Sequence, residues 1–230
     1  MGLSRQPMGG NAIRSIALLP AITGNIGKPG AGFFYINGID RRGIDPDYLV
    51  GARLRTNKPA FLSHMDLASF LEDPRRSRAI VCWNINIAAP NPHQARLRRA
   101  LARDDLFTVA IDLFQTDTVD YADIVLPAAG FMEFNDLVYS YFHLSIGAQV
   151  KAQEPLGDCL PNQEIFRRLA AAMGFTEPEL HESDETMLSS LMQQTGLGLN
   201  FEALAEKGTV YMTPDPVPQF ERLVFPTPSG

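Results

Sequence analysis

The chain has 230 residues and a mass of 25.4 kDa, with 45% hydrophobic residues, a formal charge of -6 and a pI near 5.2. That length and apolar content suit one large domain or two small ones around a buried core. The acidic balance gives no footing for a nucleic-acid surface, and no apolar run approaches the length of a bilayer span, so neither nucleic-acid binding nor membrane insertion is expected. Cys82 and Cys159 are too few for a disulfide framework and are not spaced for zinc or an iron-sulfur cluster, and His64, His93, His143 and His181 form no metal-spaced pair.

From the amino end, Asn11 to Leu19 reads as a helix with Ile13, Ile16 and Ala17 on one face, and Pro20 is expected to kink or end it. Gly24, Gly27, Gly30 and Gly32 follow, in a loop free to turn tightly or to approach a ligand. An irregular stretch with Pro46 and Pro59 leads to a helix capped by Ser63. That helix carries Leu67, Phe70 and Leu71 on one face and ends at Asp73-Pro74.

The segment from Ala79 to Glu133 reads as strand, helix, strand, short helix, strand. Ala79 to Trp83, Leu106 to Ile111 and Asp123 to Leu126 are short apolar runs of the kind buried on both faces of a parallel sheet. His93 to Arg103 sets Leu97, Ala100 and Leu101 in a helical stripe, with Arg96, Arg98, Arg99 and Arg103 off it, which completes a βαβ unit. Ligands on such sheets collect beyond the carboxyl ends of the strands, and the polar residues stand there. Asn84 and Asn86 follow the first strand, Asp112, Thr116 and Thr118 the second, and Pro127 the third. Asn amides both donate and accept, Thr hydroxyls or helix-start amides can hold phosphate oxygens, and a carboxylate at Asp112 suits the adjacent N–H groups of a guanine edge. On the other reading, Thr116 only caps a helix whose first turn holds Asp117 and Asp120, and Asp112 is a solvated strand-end acid.

Beyond Pro127 the chain becomes aromatic, with Phe131, Phe134, Tyr139, Tyr141 and Phe142, and Tyr139, Tyr141 and His143 alternate as in a strand. A helix follows with Asn162 as N-cap, Ile165, Phe166, Leu169, Ala170 and Met173 inward and Gly174 as stop. A second helix begins after Ser183 with Met187, Leu188, Leu191 and Met192 apolar, and a short one spans Phe201 to Glu206 before a strand at Thr209 to Met212. The tail is proline-rich and linker-like.

The runs WNINIAAPNPHQ and RALARDDLFTVAIDLFQTDTVDYADIVLPAAGFMEFND resemble the molybdopterin oxidoreductases of the dimethyl sulfoxide reductase family. The shared pattern is an Asn turn after a strand, an Asp, a Thr-Asp-Thr and an Ala-Asp-Ile-Val-Leu-Pro. LLPAITGNIGKPGAG, the Glu at Glu133, PLGDCLPNQEIFRRLAAAMGF and the final Pro-Ser-Gly match further family segments. Two positions depart from it: Asn86-Ile87 stands where the family has Asn-Pro, and Ser4 precedes Arg5 where the family tends to have Gln.

The resemblance implies an incomplete Rossmann-like α/β fold, a three-layer parallel sheet with flanking helices followed by a mixed helical and β segment. Residues 1–43 would end a preceding cofactor-binding domain, 44–130 form a dinucleotide-binding-like domain, and 131–230 form a mixed segment and linker. It implies a molybdenum bis(molybdopterin guanine dinucleotide) cofactor, one guanosine end of which would be held by Asn84, Asn86, Asp112, Thr116 and Thr118. Asn37, Arg41 and Arg42 would lie near the active centre. In the family the iron-sulfur cysteines, the metal ligand and the last pterin domain lie outside such a segment, so no catalytic or metal-ligating residue is named and the chain is expected to lack turnover alone. Its partners would be the remaining domains of the same enzyme, an electron-transfer subunit and a small-molecule substrate, in the cytoplasm or periplasm. Two other readings stay open. One is an NAD-binding doubly wound dehydrogenase domain, which the glycine-free NINIAAP turn disfavours; the other is a non-catalytic scaffold or electron-transfer subunit of the same fold.

Overall fold

A computed structural model describes residues 2–34, 43–139, 141, 143–213 and 218–228. In chain order the helices are α1 (Gly9–Ile22), α2 (Pro46–Leu49), α3 (Leu67–Leu71), α4 (Gln94–Leu101), α5 (Asn162–Ala172), α6 (Asp184–Thr195) and α7 (Phe201–Lys207). The strands are β1 (Ala79–Trp83), β2 (Phe107–Asp112), β3 (Ile124–Pro127), β4 (Asp136–Tyr139), β5 (Ser145–Gln149) and β6 (Thr209–Tyr211). Contacts group the chain into one unit of Met1–Ile44, Leu137–Ala148 and Met192–Gly230 and another of Asp45–Asp136 and Gln149–Leu191. The second unit therefore joins most of the 44–130 segment to part of the segment that follows it.

The fold is mixed α/β, and the second unit is a partial Rossmann-like layer structure. β1, β2 and β3 pair in parallel in sequence order, Val81 opposite Val109 and Ala110 opposite Val125. α3 and α4 cover one face, where Ala68, Leu71, Cys82, Leu97, Ala100, Leu101 and Leu106 form one buried cluster. Removing those side chains from water at roughly 25 cal/mol per Å² is the main force holding the helix layer on the sheet. Arg103 ties the layer together. Its guanidinium donates to the carbonyl of Leu71, to Ser77 Oγ at 3.2 Å and to Asp105 Oδ2 at 2.7 Å, so the α3–β1 link and the α4–β2 turn share one anchor. Asp123 clamps the start of β3 to β2: the Thr108 N–H donates to its carboxylate at 2.7 Å, and its own N–H donates to the Thr108 carbonyl at 2.8 Å.

Among the described residues the other face is covered toward the carboxyl ends. Ile165 of α5 packs with Ile111 and Ala128, and the Phe166 ring meets Trp83 edge-on at 5.0 Å. The amino half of that face stays open: Val81 is 57% exposed, Phe107 48% and Ile124 44%. This corrects the expectation of strands buried on both faces. Apolar runs set what a strand can bury, while coverage is set by the neighbours it has.

Several element ends differ from the sequence reading, for local reasons. α1 continues through Pro20, which lies in its last turn; Thr23 closes that end, its N–H at 3.1 Å and its hydroxyl at 2.7 Å from the Leu19 carbonyl. Ser63 does not cap a helix. Its Oγ accepts from the Met65 N–H at 3.2 Å in a preceding turn, and α3 starts later, after Asp66. Pro161, not Asn162, occupies the N-cap of α5, and Asn162 stands at the first helical position. Tyr139, Tyr141 and His143 do not share a strand, because β4 ends at Tyr139 and β5 begins at Ser145. A cap that composition did not suggest is Asn200, whose Oδ1 accepts from the Ala203 N–H at 2.9 Å at the start of α7.

In the first unit, β4, β5 and β6 form a second sheet in that order, β5 and β6 antiparallel with Ile146 opposite Val210. Ile146 and Leu204 are wholly buried there. No helix among the described residues is long and apolar enough to cross a membrane.

Candidate functional site

The register of the parallel sheet brings three sequence-distant residues to one level. Trp83 is opposite Ile111 and Asp112 is opposite Pro127, so Asn84, Asp112 and Pro127 stand in a row at the carboxyl ends of adjacent strands. Asn84 turns the chain away from β1 in the left-handed region at φ 49°, a conformation that asparagine tolerates better than most residues. Its N–H donates to the Ile111 carbonyl at 2.8 Å, which extends the ladder by one bond and leaves the residue exposed.

Asp112 is half-buried, and one carboxylate oxygen accepts from the Leu113 N–H at 2.7 Å. Among the described residues the other oxygen has no hydrogen-bond donor, which leaves the group able to accept from outside. Its charge is felt beneath the strand ends: burial first, then the proximity of Asp112, pushes the Cys82 thiol up to about 11. Cys82 is therefore a protonated, inert core residue at neutral pH.

Asn86 and Thr118 are joined to each other. The Thr118 hydroxyl donates to Asn86 Oδ1 at 2.8 Å, the Thr118 N–H donates to the same oxygen at 3.2 Å, and the Ala88 N–H donates to Thr118 Oγ1 at 3.0 Å. Thr118 is 1% exposed, so these bonds form a buried brace between the turn after β1 and the loop after β2. Ile87, where the family has proline, points its side chain into the α3–α4 core cluster.

Thr116 behaves differently. The helix after it is a single 3-10 turn, Val119–Tyr121, and Thr116 contributes only its backbone carbonyl, at 2.9 Å from the Val119 N–H. Among the described residues its buried Oγ1 has no hydrogen-bond partner, and Thr118 holds the N-cap of that turn, so the capping reading of Thr116 does not hold. One turn is also too short to build a helix dipole, which removes helix-start amides as an anion site here.

Arg98 and Asp117 were passed over in the sequence. Arg98, off the apolar stripe of α4, donates to the Ala88 carbonyl at 2.8 Å and lies 3.6 Å from Asp117. The signal was the run of arginines on one helix beside the Thr-Asp-Thr loop. Glu133 is 8% exposed and accepts from the Gly130 N–H at 2.6 Å and the Leu156 N–H at 3.1 Å, which makes it a strap for the loop after β3.

In the first unit the glycine loop and the tail enclose a cleft of about 940 Å³ lined by Gly27, Lys28, Phe33, Phe34, Phe220 and Phe225. Gly27 has φ 73°, and a Cβ there would come within 2.7 Å of the Phe220 carbonyl, so glycine is required by both conformation and space. Asn37, Arg41 and Arg42 lie outside the described residues. Among the described residues no group of three or more His, Cys, Asp and Glu side chains could hold a metal ion.

A parallel three-stranded sheet with polar residues at its strand tips is a partial Rossmann-like α/β arrangement. A family model described as molybdopterin oxidoreductase matches residues 1–172, and the chain belongs to that family. It is 39% identical over 189 residues to a Bacillus subtilis protein named probable oxidoreductase YoaE, covering 78% of this chain and 27% of that one. It is 30% identical to probable oxidoreductase YyaE of the same organism, covering 100% of this chain and 34% of that one. The chain thus spans about a quarter to a third of the length of these curated relatives. Among solved structures, acetylene hydratase from Pelobacter acetylenicus is similar in fold, with a TM-score of 0.55 and 22% identity, covering 70% of this chain and 22% of that one.

Proposed function

We propose that this chain serves a molybdenum-dependent oxidoreductase by holding one guanosine end of molybdopterin guanine dinucleotide and lining part of the path to the metal. The observation that carries the reading is the row of Asn84 and Asp112 at adjacent strand ends, with the buried Oγ1 of Thr116, which has no partner among the described residues, in the loop just beyond Asp112. A buried hydroxyl without a partner costs about 1–3 kcal/mol, which a ligand oxygen would relieve.

The donor set fits a guanosine diphosphate moiety. The Asp112 carboxylate can accept from the two adjacent N–H groups of guanine, Asn84 is exposed and able to donate or accept, and Thr116 can donate to a ribose or phosphate oxygen. Asn86 and Thr118 act in this reading as the brace that fixes Ala88 and the Thr116 loop. When bound, the pterin-held metal would supply two-electron redox or oxygen-atom transfer, and this chain's part is to bind and orient. The remaining domains of the same enzyme, an electron-transfer subunit and a small-molecule substrate are the partners that this role requires, and an iron-sulfur cluster would belong to those other domains.

The test is equilibrium binding of GDP and ADP to the chain. GDP is expected to bind at least about tenfold more tightly, because a carboxylate that meets adenine finds an acceptor where guanine has a donor, a mismatch of ~1–3 kcal/mol. Asp112→Asn should erase the preference. Equal affinity for GDP and ADP in the unmodified chain, or no binding of either, would overturn the reading.

A further inference from the structure

The loop that follows β2 is electrically awkward for the role just described. Between Asp112 and Asp120 it carries Asp112, Asp117 and Asp120, and Asp117 sits directly between the two threonines. A diphosphate that approaches Thr116 therefore meets carboxylates on its own binding loop. Gln115 donates to Asp120 at 2.8 Å, which satisfies a lone pair and cancels no charge. Among the described residues, the ion pair made by this loop is Arg98 with Asp117, at 3.6 Å.

Arg98 is held for this task from three sides. Its guanidinium donates to the Ala88 carbonyl at 2.8 Å and to Gln94 Oε1 at 3.4 Å while it faces Asp117. Asp117 in turn has its second oxygen 3.5 Å from the Asn86 amide nitrogen, and Asn86 accepts from Thr118. The cation on α4, the turn after β1 and the Thr-Asp-Thr loop thus form one closed circuit. The pair is half-exposed on both sides, 44% for Arg98 and 49% for Asp117, so its contribution to folding is small. A half-exposed pair beside a binding loop is better placed to tune an incoming anion than to hold the fold.

We propose that Arg98 is a positioning residue that neutralises Asp117, and that the Arg98–Asp117 pair sets the affinity of the strand-tip site for the phosphate portion of a nucleoside diphosphate. This rests on the nucleotide reading above. Arg98 acts through Asp117 and the Ala88 turn, without needing to touch the ligand.

The experiment compares GDP with guanosine as probes, binding each to the unmodified chain, Arg98→Met, Arg98→Lys, Asp117→Asn and the Arg98→Met, Asp117→Asn double variant. Arg98→Met is expected to weaken GDP roughly 3- to 10-fold at low ionic strength, from one uncompensated charge near the phosphates. Guanosine, with no phosphate, should change by less than about twofold. The double variant should return close to the parent affinity for GDP and Arg98→Lys should retain most of it, because the charge and not the guanidinium plane is what matters. The GDP effect should shrink as salt shortens the screening length from about 10 Å at 0.1 M to about 3 Å at 1 M.

Equal losses for GDP and guanosine would reduce Arg98 to a packing role and overturn the proposal, as would a double variant no better than Arg98→Met. If the unmodified chain bound both probes and Arg98→Met changed neither, the pair would fail while the nucleotide reading stood. If the unmodified chain bound neither probe, the nucleotide reading would fail and take the pair with it.

Discussion

α4 and α1 are both amphipathic by sequence, and the molecule treats them in opposite ways. α4 closes its stripe against the sheet, with Leu97 0% exposed and Ala100 1%. α1 leaves Ile16 40%, Leu18 60%, Leu19 54% and Ile22 77% exposed among the described residues. A 3.6-residue period makes a helix possible, and a covering surface decides whether its apolar side chains contribute free energy. The same contrast separates the two candidate regions. The strand-tip site stands on a sheet whose register is fixed by parallel pairing and by the Thr118 brace, whereas the glycine-loop cleft is shaped by close backbone approach at Gly27.

The sharpest way to break that comparison is Leu97→Ala. It removes a wholly enclosed side chain from the cluster that joins α3, α4 and β1, and should cost about 2–5 kcal/mol in denaturant unfolding. A loss below about 1 kcal/mol would mean that the α3–α4 cluster is not the core of its unit.

Next in size is Thr118→Val, close to isosteric, which deletes the hydroxyl that donates to Asn86 Oδ1 and accepts from the Ala88 N–H. The buried Ala88 N–H loses its acceptor, while the half-buried Asn86 Oδ1 keeps the Thr118 N–H, so a destabilisation of ~1–3 kcal/mol is expected. GDP binding should weaken with it, because the turn that carries Asn84 and the loop that carries Thr116 then keep only the weaker bonds from the Thr118 N–H to Asn86 Oδ1 and from the Asn86 amide to Asp117. If unfolding shows the loss and binding does not, the brace supports the fold and has no part in the site.

What the sequence made legible follows the same division. The βαβ unit was readable because the stripe of Leu97, Ala100 and Leu101 and the apolar strands are local patterns, and β1 was bounded to the residue. That Asn84 and Asp112 share a level was readable from the rule that ligands gather at strand ends. The division of labour within the polar set was not. Nothing in the order Asn-Ile-Asn or Thr-Asp-Thr says that Asn86 turns toward Thr118, or that the buried Thr116 hydroxyl finds no partner among the described residues, since both depend on the three-dimensional approach of two loops about thirty residues apart. Arg98 was missed for the same reason: an arginine off the apolar stripe looks solvated until the loop it faces is known. The N-cap of α5 was misassigned because Asn162 follows Pro161, whose fixed φ lets it hold the flanking position itself.

The smallest effect is the most diagnostic for α1. Ile16→Ala replaces a 40% exposed β-branched residue by the best helix former, in a helix that already carries Pro20. Gained propensity and lost apolar contact nearly cancel, so the chain as it stands should change by less than about 0.5 kcal/mol. The measurement is paired with Leu97→Ala in one denaturant series. If Ile16→Ala instead cost 2 kcal/mol or more, in the range of a core deletion, the side chain would be covered in solution. α1 would then behave as α4 does, and its exposed stripe would be a surface that another part of the chain or a second copy closes.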